Sequence, residues 1–250
     1  MNLRASYKTM IKDFVMSAAI YYAVMLAVTL AGILMLLIFG SENGSMGMNF
    51  DFSGYVFIFV LGLNSFKENF KFLNQNGVSR RTFYISRVAV MVSAALIMVL
   101  VDRFFYTALS LIKIKNFSVV FISELYIEVF EDGIQISGNQ GPIVNVFRAM
   151  LASLCAYMAL YGLGCFINLV FYRLGNLGKA LVGAGVPVFF IIVLPVVDNI
   201  LLNGVLGRAF MELINFTFSS LGNISLVFFV IALSGMVFTY FLMRRAPIKN

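Results

Sequence analysis

Uncharged apolar runs alternate along this chain with short polar clusters, and the first run, Phe14 to Phe39, ends in Gly40, Ser41, Glu42 and Asn43. A helix needs about 20 apolar residues to cross the hydrocarbon core of a bilayer. By that measure six stretches read as crossings, at about 14–39, 52–66, 83–106, 146–171, 180–197 and 223–243. The second is short and is defined by its polar flanks; the third is interrupted by Asp102 and Arg103. The first run is too long for the apolar part of a signal peptide and lacks a clear small-residue cleavage site. No β-barrel alternation is visible, and closed barrels are the only other backbone solution in lipid; Ser118 to Phe130, where Val119, Phe121 and Tyr126 fit neither period, is left open between helix and strand. The expected fold is an all-α integral membrane protein forming a single domain over 1–250.

Composition agrees. The chain is 61% hydrophobic and 12% charged, with mean hydropathy +0.96, against roughly 45–50% apolar for soluble domains. Charge adds orientation, because cytoplasmic loops collect Lys and Arg. With the N-terminus inside, the inner side holds 13 of 18 basic residues and only Asp13 and Glu68 among the acids. The outer side keeps 5 basic and 9 acidic residues. Both termini are therefore expected in the cytoplasm. The basic residues spread along membrane edges, where anionic lipids meet them, rather than forming one groove, which excludes nucleic acid as the reason for the basic pI.

The densest positive cluster is Ser65 to Arg87, SFKENFKFLNQNGVSRRTFYISR. Phe66, Phe70 and Leu73 fall at i, i+4 and i+7 on one helical face, opposite Lys67, Glu68, Lys71 and Asn74. Asn76-Gly77 breaks that helix, Ser79 can cap the next, and Arg80 and Arg81 hold its start at the head groups. Two readings stand: a lipid anchor, or a docking element whose exposed Phe and Leu face needs a cover. At the N-terminus, Leu3, Tyr7, Met10, Ile11 and Phe14 line a face opposite Arg4, Lys8 and Lys12, which suits a helix lying in the interface over 1–13. The segment 199–222 is too interrupted to cross and too apolar for a free loop.

The run Phe72 to Phe83, with Gly77-Val78-Ser79-Arg80-Arg81 at its centre, resembles the loop after the second crossing of ABC-2 type transporter permeases. The interfacial helix before the first crossing and a re-entrant hairpin at 199–222 before the last resemble the same family, as do the six crossings and the overall length. The resemblance implies the membrane-spanning permease subunit of an ATP-driven ABC exporter in a bacterial cytoplasmic membrane. Its partners would be a separate cytoplasmic ABC ATPase, a second permease copy or paralogue, and membrane lipids. ATP and Mg²⁺ would belong to the ATPase, with no cofactor in this chain. The coupling residues implied are Phe66, Phe70, Leu73, Asn76, Gly77, Ser79, Arg80 and Arg81, with Tyr172–Lys179 as a second contact.

Nothing in the chain offers an ATPase site of its own. Gly175-Asn-Leu-Gly-Lys179 is followed by Ala180 where a phosphate loop needs Ser or Thr, and its spacing differs. There is no His, which removes the commonest acid–base and metal-ligand residue. Cys155 and Cys165 sit far apart along one crossing and read as small packed hydrophobes. Asp102-Arg103 marks either the outer edge of the third crossing, a local ion pair or a substrate contact. The outer segment 104–145 carries Glu124, Glu128, Glu131 and Asp132, either a solvated acidic face or an attractor of cationic cargo.

Aromatic residues of the second and fifth crossings, Tyr55, Phe57, Phe59, Phe189 and Phe190, are the expected cavity wall. Pro187 and Pro195 can kink the fifth crossing, and Gly183 and Gly185 allow close helix approach. An apolar wall favours hydrophobic or amphipathic cargo. Among Gram-positive permeases, the chain resembles exporters of toxic amphipathic peptides (phenol-soluble modulins) and bacteriocin-resistance permeases, which implies export of amphipathic peptide toxins. The alternatives are an ABC permease for lipid or drug-like cargo, or a secondary transporter independent of an ATPase.

Overall fold

A computed structural model describes residues 3–39, 46–64, 67–110, 117–120, 142–201 and 203–244. Phe66 and most of the segment 104–145, with Glu124, Glu128, Glu131 and Asp132, lie outside the described residues. The helices are α1 (Leu3–Phe39), α2 (Phe50–Asn64), α3 (Lys67–Gln75), α4 (Arg80–Ser110), α5 (Pro142–Arg173), α6 (Asn176–Val188), α7 (Leu194–Leu201), α8 (Val205–Phe218) and α9 (Leu221–Arg244). A π-helical turn, Phe189–Val193, joins α6 to α7. Among the described residues, five helices are long and apolar enough to cross a membrane: Leu3–Met35, Arg80–Leu109, Val146–Arg173, Leu177–Ile200 and Leu221–Arg244. The shorter Phe52–Asn64 occupies the expected second crossing. At 15 residues, α2 spans only about 22 Å.

Three features depart from the sequence expectation. The interfacial helix over 1–13 is not a separate element, because α1 runs unbroken for 37 residues. Its first turns are held against α4 by Tyr7, whose hydroxyl pairs with that of Ser93 at 2.8 Å. Secondly, two four-residue strands, β1 (Met46–Asn49) and β2 (Phe117–Val120), pair in parallel, Met46 opposite Phe117. They follow α1 and α4, which reach the same end of the bundle, and α2 to α4 supply the long crossover that parallel strands need. Thirdly, close helix approach occurs elsewhere than at Gly183 and Gly185. A Cβ at Gly185 would meet nothing within 4 Å, whereas one at Gly164 would lie 2.4 Å from the Phe59 carbonyl oxygen. Reciprocally, a Cβ at Gly62 would lie 2.5 Å from the Tyr161 carbonyl oxygen. Backbone contact between α2 and α5 therefore needs glycine on both sides, the small-residue packing of lipid-embedded helices.

The main core lies where α1, α2, α4, α5 and α9 meet, around Tyr22, Ile58, Met98, Tyr157 and Ala232. A second cluster closes one end: Met10, Phe70, Leu73, Val78, Phe83, Val90, Leu169 and Met243. The helix from Leu177 to Ile200 is the exception, with none of its apolar window buried inside the chain. Pro187 lies within α6. The π turn follows it, with the Leu194 N–H bonding five residues back to the Phe189 carbonyl; Pro195, just beyond, supplies no N–H of its own.

Gly164→Ala should therefore push α2 and α5 apart at a cost of about 1–3 kcal/mol. Gly185→Ala, in open space, should leave stability unchanged or raise it by up to about 1 kcal/mol through helix propensity. Thermal unfolding of the two variants in detergent separates these outcomes.

Candidate functional site

One end of the bundle is built around α3. Gly77 takes φ +74° and the Val78 N–H reaches back to the Leu73 carbonyl at 3.0 Å, so α3 ends in a Schellman turn. Val78 and Leu73 pack in the same cluster. Ser79 then caps α4: its hydroxyl oxygen accepts from the Thr82 N–H at 3.1 Å, the usual N-cap arrangement. One Arg80 nitrogen donates to the Arg244 carbonyl of α9 at 2.9 Å, a cation at a helix C-terminus. Two helix ends and one helix start are thus tied together within a few residues.

This geometry corrects the docking face expected from the sequence. Phe70 and Leu73 are 1% and 0% exposed, and Phe70 meets Phe83 edge-on at 5.3 Å and Tyr172 at 6.1 Å. Their apolar face is covered by this chain itself. Periodicity reveals that a face is apolar, not which surface covers it. The outward surface is instead Phe72, 51% exposed, with Gln75, Asn76, Gly77, Ser79 and Arg81.

Arg87 is likewise corrected from a head-group residue to an interior one, being 4% exposed. Its Nε and one terminal nitrogen donate to Cys165 Sγ at 3.2 and 2.9 Å, and that nitrogen also lies 3.4 Å from the Gly62 carbonyl oxygen. Its carbon sits 5.9 Å from the Phe83 ring centroid. Beside it opens a cavity of about 200 Å³ between α1, α2, α3, α4 and α5. Arg87 and Tyr161 form its buried side, Asp13 and Asn64 its exposed rim, and Ser17 and Asn69 lie between.

At the other end of α4, Asp102 is 8% exposed and lies in the bundle rather than at its edge. Its carboxylate accepts from the Tyr22 hydroxyl at 2.8 Å and from the Tyr157 hydroxyl in a short hydrogen bond. Arg103 lies over the Tyr106 ring at 4.8 Å. Neither tyrosine stood out in the sequence, since hydroxyls from α1 and α5 meet a carboxylate of α4 only after packing. Asp198 escaped notice for the same reason. It is 6% exposed, and its two oxygens accept from the Leu206 and Gly207 N–H groups at 2.8 and 2.7 Å, capping α8 across the Asn203-Gly204 turn. That dipeptide, with φ +51° and +76°, is a turn signal that was legible.

The expected cavity wall does not assemble within one chain. Phe57 stacks on Tyr21 at 4.3 Å and Tyr55 packs on Tyr157 at 4.9 Å, while Phe59 is half-buried where α2 meets α5. Phe189 and Phe190 lie exposed on the π turn. The two aromatic groups therefore serve different surfaces. Among the described residues no cluster of His, Cys, Asp or Glu has metal-holding geometry. The chain matches no protein-family model, no curated protein and no solved structure.

Asp102→Ala would take from the Tyr22 and Tyr157 hydroxyls the carboxylate they share, with the Met98 carbonyl at 3.3 Å still within reach of Tyr22, at a cost of about 1.5–3 kcal/mol. The contact with the Tyr106 ring that Arg103→Ala gives up is by itself worth about 0.5–1 kcal/mol, so this variant should be the milder of the two. Unfolding midpoints of the purified variants test the contrast.

Proposed function

We propose that this chain is the membrane-spanning permease subunit of an ATP-driven ABC exporter of the ABC-2 type, working in a bacterial cytoplasmic membrane with both termini inside. The observation that carries the reading is α3. It is a short helix between the second and third crossings, seated on the bundle end by Phe70 and Leu73, with Phe72, Gln75 to Gly77 and Arg81 turned outward. A rigidly seated element is what transmission of motion from an ATPase to membrane helices requires, because a loose loop would absorb the movement. The α7–turn–α8 hairpin, knitted by Asp198, supports a re-entrant hairpin before the last crossing. The exposed face of Leu177–Ile200 supports a second permease copy or paralogue beside it.

Phe72→Asp combined with Arg81→Glu should leave the bundle folded and reduce co-purification of the ATPase by about a hundredfold, as loss of two anchors does. Phe70→Asp should instead unfold the chain end, because it places a charge in a closed apolar cluster. A full complement of ATPase on the double variant would remove the coupling role of α3.

The cargo is read as an amphipathic peptide, its apolar face on the exposed Phe189 and Phe190 surface between permease copies and its polar face in water. In a reconstituted complex, amphipathic peptides should stimulate ATP hydrolysis and scrambled peptides of equal composition should not. Phe189→Ala with Phe190→Ala should blunt that response. Equal stimulation by both peptides would leave lipid or drug-like cargo as the better reading. One observation favours a secondary transporter: Asp102 is an acid inside the bundle, where ion coupling would need one. Transport that persists without any ATPase and fails in Asp102→Asn would establish that reading instead.

A further inference from the structure

Polar side chains reach deep into this bundle from the α3 end. A cavity of about 200 Å³ opens between Asn64, the close of α2, and Asn69 of α3, and Asp13, Ser17, Arg87 and Tyr161 complete its polar wall. A single water needs about 10–15 Å³ of such space and two or more polar partners. This cavity has room for several waters and offers six polar side chains. Along α5, Tyr161 lies about 18 Å from the Arg173 end, at about 1.5 Å per residue. Arg87 keeps its bonds to Cys165 and to the Gly62 carbonyl, and its charge makes this a wall that hydrocarbon does not wet. Charged groups within membrane helices face the bundle interior or a water-filled cavity.

We propose that this cavity is a water-filled inlet, open at the α3 end, that admits small hydrophilic solutes into the bundle. Such an inlet also accounts for the shortest crossing. At 15 residues, α2 covers about 22 Å of a hydrocarbon layer about 30 Å thick. Leu61 and Asn64, in its last turn, border the cavity. Water rather than lipid therefore meets that end of the helix, where a short crossing otherwise thins the bilayer. The inlet ends within the same helices. Ile58 of α2 and Ala94 and Met98 of α4 are fully buried, and beyond them Asp102 holds the Tyr22 and Tyr157 hydroxyls. Hydrophilic solutes enter from one side and stop at an apolar layer, on a path separate from the exposed Phe189 and Phe190 surface.

The test places added cysteines in the full chain in sealed lipid vesicles. The hydrophilic probe is a membrane-impermeant quaternary-ammonium methanethiosulfonate. The unaltered chain, whose Cys155 and Cys165 are free and buried, gives the blank. Gln75→Cys, exposed on α3, marks the face from which the probe reaches the α3 end. From that face Ser17→Cys and Leu61→Cys should react at least about tenfold faster than Met16→Cys and Val60→Cys, because hydrocarbon excludes a charged probe. Met16 and Val60 are the exposed neighbours of the two cavity positions on α1 and α2. Ala94→Cys, in the apolar layer, should stay at the blank. Ser17→Trp, which fills the inlet, should slow Leu61→Cys to the rate of Val60→Cys; if it does not fold, the paired rates decide alone. Equal rates within each pair, or reaction of Ser17→Cys from the opposite face alone, would overturn the inlet. Reaction of Ala94→Cys would overturn its closed end.

Discussion

A guanidinium inside a helical bundle keeps its charge and must be met by acceptors wherever it is placed, so Arg87 constrains everything around it. It holds α4 against Cys165 of α5 and the Gly62 carbonyl in the last turn of α2. Gly62 is also one of the two glycines at which α2 and α5 touch backbone to backbone. The same small region thus carries the tightest helix contact and the most buried cation among the described residues. A cation beside a helix C-terminus is favourable, and the close approach of α2 to α5 brings that terminus within reach. Packing and electrostatics here are a single requirement: moving α2 outward would open the glycine contact and take the carbonyl from the arginine.

From this point the α3 end of the bundle follows. α3 continues from α2 after a short connection, and its Phe70 and Leu73 close over Met10, Val90 and Leu169 from three other helices. The Schellman turn at Gly77 and the Ser79 cap then deliver the chain into α4, whose Arg80 reaches the end of α9. Each step satisfies backbone groups that lipid cannot. The result is an end plate whose described outward side chains are polar apart from one large apolar one, Phe72. Asp102 does the equivalent at the far end of α4, gathering hydroxyls from α1 and α5.

The helix from Leu177 to Ile200 stands apart from this network. Its apolar window finds no cover among the described residues, and its ends are secured locally, at the Gly175 start of α6 and at the Asp198-capped turn into α8. A helix whose apolar window is unburied, with a π turn between two prolines, can adapt its surface to lipid or to a neighbouring subunit at little cost to the core.

The positions of the helices were legible in the sequence, because hydrocarbon admits only long uncharged runs and the chain must break them with charge, Asn-Gly or Pro. The Asn76-Gly77 break and the Ser79 cap were legible too, since each depends on residues within one turn. What the sequence left open was which partner each face meets. Phe70 and Leu73 marked an apolar stripe on α3, yet whether Met10 and Leu169 or another protein covers it depends on residues far along the chain. Arg87 counted as positive-inside charge, and only the approach of α2 to α5 turned it into an interior residue. Tyr22, Asp102 and Tyr157 are separated by long stretches of chain and became one hydrogen-bonded cluster only by helix packing. Local chemistry sets where helices begin and end; the shared interior, where each polar group must find an acceptor on another helix, is decided by the tertiary structure alone.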